Sequence, residues 1–265
     1  MRLLCAHFST AALNCDMFVH DPDPTITDCR NCPLRRKPLF LPFSDSELSF
    51  MEQFKVGELV VAPGVTVLEE GQGSAHLFTV LSGLGIRSTM LENGRRQVIN
   101  FLFPGDFIGL QAGLAGEMRH SVESTTTMVL CVFNRADLWD LFREEPERAY
   151  DLTWIAAVEE HFLGETIASL GQRDATERLA WALLRIHERL SAIGLAERGR
   201  VPMPWRQQDL ADALGLSLVH TNKTIRRLRE TGHALWEGGT LFVDRERLAT
   251  LALADPDRPR RRPLI

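Results

Sequence analysis

Residues 206–229, RQQDLADALGLSLVHTNKTIRRLR, place the tightest constraint on the fold. Leu210, Ala211 and Leu214 share one face of a first short helix. Gly215 can take a left-handed conformation and end it. Ser217 is a good N-cap for a second helix starting at Leu218. In that helix Thr221, Ile225 and Leu228 recur at helical spacing and can pack on the first, while His220, Asn222, Lys223, Arg226, Arg227 and Arg229 fall mostly on the other faces. Two short helices meeting steeply at a small turn predict a helix-turn-helix, whose second helix fits the major groove of double-stranded DNA. The plainer reading is a helical hairpin with a solvated basic face. Residues 235–243, LWEGGTLFV, weigh against it, because they read as two short strands around Gly238-Gly239. A hairpin directly after the second helix makes a winged helix.

Charge agrees with contact at one end only. Residues 173–265 hold 17 Lys/Arg and 12 Asp/Glu; the rest of the chain holds 13 and 23, within an overall net charge of −5. A basic end on an acidic chain suits a protein that touches nucleic acid with that end. Part of the excess lies in a basic tail, residues 251–265, expected to be disordered. No run of about 18 apolar residues predicts a transmembrane helix, and the first residues do not form a signal peptide, so the expectation is a cytoplasmic protein without a membrane partner. Five cysteines, an odd number, do not suggest a secreted disulfide framework.

Four of those cysteines, Cys5, Cys15, Cys29 and Cys32, lie in an arm formed by residues 1–40. Cys29 and Cys32 form a Cys-x2-Cys knuckle that can hold one metal centre, and Arg30, Arg35 and Arg36 would favour the thiolate form. Free thiols on a mobile arm are the alternative. Residues 41–144 open with a short amphipathic helix, with Ser44 as cap and Glu47 at the capping-box position. Recurrent glycines then separate short strand candidates at 77–81, 85–91, 97–101, 121–126 and 128–133. This spacing argues for an antiparallel barrel or jelly roll, which commonly encloses a small-molecule site or is simply packed. Residues 145–172 read as one long helix of ~38 Å, too long to be covered by one small barrel. Its stripe, with Leu152, Ile155, Phe162 and Ile167 as contacts, is expected to meet the same helix of a second subunit. A helix buried on its own barrel is the alternative. A further helix, 176–193, precedes the helix-turn-helix, and residues 173–250 form the DNA-binding domain. The predicted class is α+β.

This order resembles the Crp/Fnr family of bacterial transcription regulators over nearly the whole chain. The residues that carry the resemblance are LVVAPG at 59–64, FTVLSG at 78–83, FPGDFIG at 103–109 and QDLADALG at 208–215. The resemblance implies a homodimer on a pseudo-palindromic site, a sensor barrel, a dimerisation helix and RNA polymerase as a partner. The effector pocket would involve Gly109, Gln111, Arg119 and Ser121. Members that bind cyclic AMP carry an acidic acceptor just after the Gly-Asp-Phe-Ile-Gly turn; here Leu110-Gln111 follows, and His120 separates Arg119 from Ser121, so cyclic AMP is not expected. Oxygen-sensing members hold a [4Fe-4S] cluster on three N-terminal cysteines and one barrel cysteine. Cys29, Cys32 and Cys131 match three of these, Pro38 stands where the third N-terminal cysteine belongs, and Cys15 or Cys5 would complete the set. A small buried core residue is the alternative for Cys131. Thiol redox sensing without a cluster is a further alternative.

By the same resemblance, DNA contacts fall on Ser217, Val219, His220, Asn222, Lys223, Arg226 and Arg227. Asn222 can pair with adenine, Lys223 can donate to guanine and Val219 can meet a thymine methyl, while the arginines contact phosphates. A cupin-like barrel enzyme is a competing class, but His76 and His120 stand alone without the His-x-His pattern such a site needs. A cyclic-nucleotide signalling module without DNA binding is a third, opposed by the complete winged helix. The chain is therefore expected not to be an enzyme.

Overall fold

The computed structural model describes residues 2–5, 26–256 and 260–265. The chain divides into two units: 1–89, 101–156 and 261–265 in the first, 90–100 and 157–260 in the second.

The chain begins with β1 (Arg2–Cys5) and α1 (Asp45–Phe54), followed by β2 (Lys55–Val61), β3 (Thr66–Leu68), β4 (His76–Ser82), β5 (Gly85–Met90), β6 (Arg96–Leu102), of which residues 96–100 belong to the second unit, and β7 (Phe107–Ile108). Then come α2 (Leu110–Ala115), β8 (Ser121–Ser124), β9 (Met128–Asn134), α3 (Leu138–Glu144) and α4 (Pro146–Gln172), the last running on into the second unit. Ser44 caps α1 in a full capping box: the Glu47 N–H donates to Ser44 Oγ at 3.3 Å, and the Ser44 N–H donates to Glu47 Oε2 at 2.6 Å. Two sheets form, ordered β1-β2-β9-β4-β7 and β3-β8-β5-β6. The pairings β2-β9, β9-β4, β4-β7, β3-β8 and β8-β5 are antiparallel, and β1 runs parallel to β2.

Alternation along β9 sets two cores. Met128, Leu130 and Val132 enter the barrel interior with Val61, Val80 and Leu102. Cys131 and Phe133 face the other way, towards Met51, Phe54, Leu141 and Leu152. Behind that second core Arg148 bridges two carboxylates, Glu47 and Asp151, each at 2.7 Å, with all three side chains at most 10% exposed.

Helix α4 departs from the expected dimer stripe. Leu152 is 2% exposed inside its own unit's core, Ile155 packs against that core, and Phe162 stacks on Trp181 at 6.0 Å. Leu163 and Ile167, further along the helix, stay exposed at 36% and 71%, although Leu163 follows Leu152 by about three turns and so shares its stripe. The expected tail is also corrected in part. Residues 262–265 are buried in the first unit, because Leu264 and Ile265 supply an apolar anchor; residues 257–259 lie outside the described residues.

The second unit contains α5 (Ala175–Ala192), β10 (Arg200–Pro202), α6 (Gln207–Leu214), α7 (Leu218–Glu230), β11 (Ala234–Glu237), β12 (Thr240–Val243) and α8 (Arg245–Leu251). Asp174 starts α5 through a capping box, and Leu179, Leu183, Ile186 and Leu190 form its buried stripe. Strand β10, missed from sequence, pairs with β12 and widens the hairpin to three strands.

Asp209 fixes the start of α6. It is 3% exposed and accepts from the Arg206 N–H at 2.8 Å, from Arg206 Nη2 at 3.1 Å and from Arg96 Nη2. Arg96 Nε also donates to Asp212 at 2.8 Å, and Gln97 Nε2 donates to the Ala213 carbonyl at 3.1 Å. Burial opposes the Asp209 charge, but the Arg206 and Arg96 bonds outweigh it and hold the carboxyl below its ordinary pKa. A lowered folded pKa stabilises the fold above about pH 4, the unfolded value, and this contribution is lost as pH falls through the folded value. Asp209→Asn should therefore cost about 1–2 kcal/mol at pH 7, since Arg96 keeps Asp212 but loses one of its two carboxylates. Urea unfolding followed by tryptophan fluorescence checks it: the gap to the unsubstituted chain should shrink as the pH falls below about 4. A gap independent of pH would mean that the Asp209 charge does not stabilise α6.

Candidate nucleic-acid interface and thiol cavity

Gly215 ends α6 with φ of 64°, and the Leu216 N–H closes the turn on the Ala211 carbonyl at 3.0 Å. Ser217 is extended, and its Oγ accepts from the His220 N–H at 3.2 Å, starting α7. In α7 the residues Thr221, Thr224, Ile225 and Leu228 are buried. Thr224 is the one that periodicity in the sequence did not single out, although its spacing from Thr221 and Leu228 could have found it. The predicted contact residues Ser217, Val219, His220, Asn222, Lys223, Arg226 and Arg227 are all exposed. Val219 is 79% exposed on this face, beside Leu218 at 40%. Arg226 pairs with Glu230 at 2.7 Å across the helix surface, a weak exposed pair that phosphate could displace. Arg227 and Arg229 lie in the last turn, where positive charge complements the helix dipole.

The wing depends on two glycines. Gly238 and Gly239 have φ of 57° and 71°, and Glu237 pairs with Thr240 across them. A two-residue turn with both φ positive matches strand twist and admits glycine most easily. Helix α7 and this hairpin thus leave the same small core that α5 and α6 complete.

In the first unit Cys29, Cys32 and Cys131 line one small cavity of about 30 Å³, together with Lys55, Thr79 and Ile265. All three are free thiols. The expected arginine activation does not occur. Arg30 pairs with Glu52 at 3.0 Å, and Arg35 donates to the Cys29 carbonyl at 3.0 Å. Burial instead pushes the Cys29 thiol up to about 11 and Cys131 up to about 12, with Lys55 pulling back only in part. A four-iron cluster needs four ligands and far more room than this cavity, which suits about one or two waters. Among the described residues no group of three His, Cys, Asp or Glu side chains could hold a metal ion. Cys15 lies outside the described residues. In this arrangement the described residues do not fit a [4Fe-4S] cluster.

The four residues expected at the effector pocket make local contacts in this structure. Gly109, with φ of 93°, starts α2. Gln111 Oε1 accepts from the Arg119 N–H at 3.0 Å, Arg119 pairs with Glu117 at 2.9 Å while 73% exposed, and Ser121 Oγ accepts from the Glu70 N–H at 3.0 Å. Met118, Met128 and Val122 fill the barrel interior instead.

Among the described residues no helix is long and apolar enough to cross a membrane. A cyclic nucleotide-binding domain family matches residues 58–145, and a Crp-like helix-turn-helix domain family matches residues 177–251. The nitrogen fixation regulation protein FixK of Bradyrhizobium diazoefficiens is 31% identical over 228 residues, covering 85% of this chain and 94% of that protein. The transcriptional activator protein FnrL of Cereibacter sphaeroides is 27% identical over 246 residues, covering 91% and 98%. The structure of FixK2 from Bradyrhizobium japonicum matches with a TM-score of 0.68 at 26% identity, over 75% of this chain and 98% of that one. With both domains matched, and with relatives aligned over nearly their whole length, the chain belongs to the Crp/Fnr family of transcription regulators.

Proposed function

We propose that this regulator binds a specific pseudo-palindromic DNA site as a homodimer, in the cytoplasm, under oxygen or redox control through its thiols. The observation that carries the DNA reading is the single exposed face of α7, which gathers Val219, His220, Asn222 and Lys223 near the helix start. An amide and an ammonium there can donate to base edges, whereas Arg226 and Arg227 further along suit phosphates. Recruitment of RNA polymerase is part of the same proposal and rests on family membership alone.

Asn222→Ala should lose about 1–3 kcal/mol on the preferred site and little on random DNA, measured by fluorescence anisotropy. Arg227→Ala should weaken both alike and lower the salt slope by about one. Equal losses on both DNAs for Asn222→Ala would remove it as a base reader.

The dimer seam we assign to Leu163 and Ile167, with Gly164 allowing close approach. Both are large aliphatic residues of α4 left exposed, about 100° and 140° around the helix from Phe162. Leu163→Asp with Ile167→Asp should sediment as a monomer and lose specific DNA binding. A dimer of unchanged mass would place the seam elsewhere.

For the signal, the convergence of Cys29, Cys32 and Cys131 on one cavity supports thiol chemistry. Two thiols oxidised to a disulfide release two protons and two electrons, which hydrogen peroxide takes up to give water. Peroxide should change the DNA affinity of the unsubstituted chain, and Cys131→Ser or Cys29→Ser should abolish the change. A response that persists in both variants would count against these thiols.

A further inference from the structure

Residues 262–265, the Arg-Pro-Leu-Ile that ends the sequence, lie in the first unit although they come after the winged helix. Three kinds of contact hold them. The Arg262 N–H donates to the Leu39 carbonyl at 2.8 Å, and the Leu41 N–H donates to the Arg262 carbonyl at 2.9 Å, as in a short parallel bridge at Phe40. Arg262 Nη1 pairs with Asp106 Oδ1 at 3.1 Å, with both side chains at most 13% exposed. Leu264 and Ile265 are each 4% exposed, and Thr79 Oγ1 donates to the main-chain oxygen of Ile265.

The receiving surface is built into the barrel. Asp106 Oδ2 accepts from the Phe103 N–H at 2.9 Å, which fixes the carboxylate in its turn. Within that turn Gly105 has φ of 88°, and a Cβ there would lie 2.3 Å from the Phe40 ring. The turn can therefore approach Phe40, which bridges to Arg262, only with glycine at this position. Below it, Ile265 enters the core containing Phe107 and Phe133. Main-chain pairing supplies affinity, while a partly buried carboxylate and an apolar pocket supply selectivity for arginine followed by aliphatic residues.

We infer that the barrel carries a peptide-binding site for an Arg-Pro-aliphatic-aliphatic segment, and that residues 262–265 of the same chain are its occupant. Leu264 and Ile265 form part of the wall of the cavity lined by Cys29, Cys32 and Cys131, so release of the segment opens that cavity. The site is independent of the redox reading, because it concerns who fills the barrel surface and not what the thiols do.

The test uses the full chain with Leu264→Asp and Ile265→Asp together, which expels the segment. A fluorescein-labelled Arg-Arg-Pro-Leu-Ile peptide should bind this variant saturably and the unsubstituted chain far more weakly. The same peptide with aspartate in place of its second arginine should bind neither. Maleimide labelling of Cys131, read by mass spectrometry, should speed up by about tenfold or more in the variant, since the segment walls the cavity that the half-buried Cys131 lines. The peptide should slow it again. Separately, Arg262→Asp and Asp106→Arg should each speed labelling, and the two together should restore protection. Equal peptide binding by both chains, or no binding by the variant, would overturn the assignment. So would labelling that stays fast in the charge-reversed pair.

Discussion

Helix α7 exists because one side of it is sealed. Thirteen residues are too few for a stable helix in water without packing partners. Ile225 and Leu228, 9% and 1% exposed, provide that packing and contribute roughly 1.5–3 kcal/mol each when fully buried. Thr221 and Thr224 fill the narrower spaces of the same face. Every residue that could read a base lies opposite, so the docking that makes the helix also decides which side chains it presents. The Gly215 turn and the Ser217 cap fix where that face begins.

The start of α6 depends in turn on a buried charge. Asp209 joins the helix start to Arg206 and to Arg96 on β6, so three groups share one carboxylate. Such a carboxylate is costly to bury alone, but here nearly every lone pair has a donor. A similar arrangement recurs in the first unit, where Arg148 is placed between Glu47 and Asp151. The barrel interior is apolar by contrast, and its chemistry-bearing groups lie on the outer side of β9, at Cys131, rather than inside.

The parts legible in the sequence were those fixed by local periodicity. The period of Leu210, Ala211, Leu214 and of Thr221, Ile225, Leu228 marked the two helices, and Gly238-Gly239 marked the wing. What escaped depends on distant contacts. Strand β10 is three residues long and forms only because β12 is there to pair with it. The stripe of α4 reads as one surface in sequence, but Leu152 turns into its own core while Ile167 does not. Arg262 looks like part of a solvated basic run, since nothing local reveals Asp106 some 156 residues away. For the thiols, spacing joined Cys29 to Cys32 and the family resemblance added Cys131, yet burial raises the Cys29 pKa where arginine neighbours were expected to lower it.

The central claim is that α7 reads sequence, twice, from a symmetric pair of chains. Selection from a pool of random DNA duplexes on the purified, reduced protein, with sequencing of the bound fraction, tests it most directly. The account predicts enrichment of one motif in two inverted halves whose centres lie about one helical turn apart, ~34 Å or about 10–10.5 base pairs. A pool that stays random, or that converges on a single motif with no inverted partner, would contradict it.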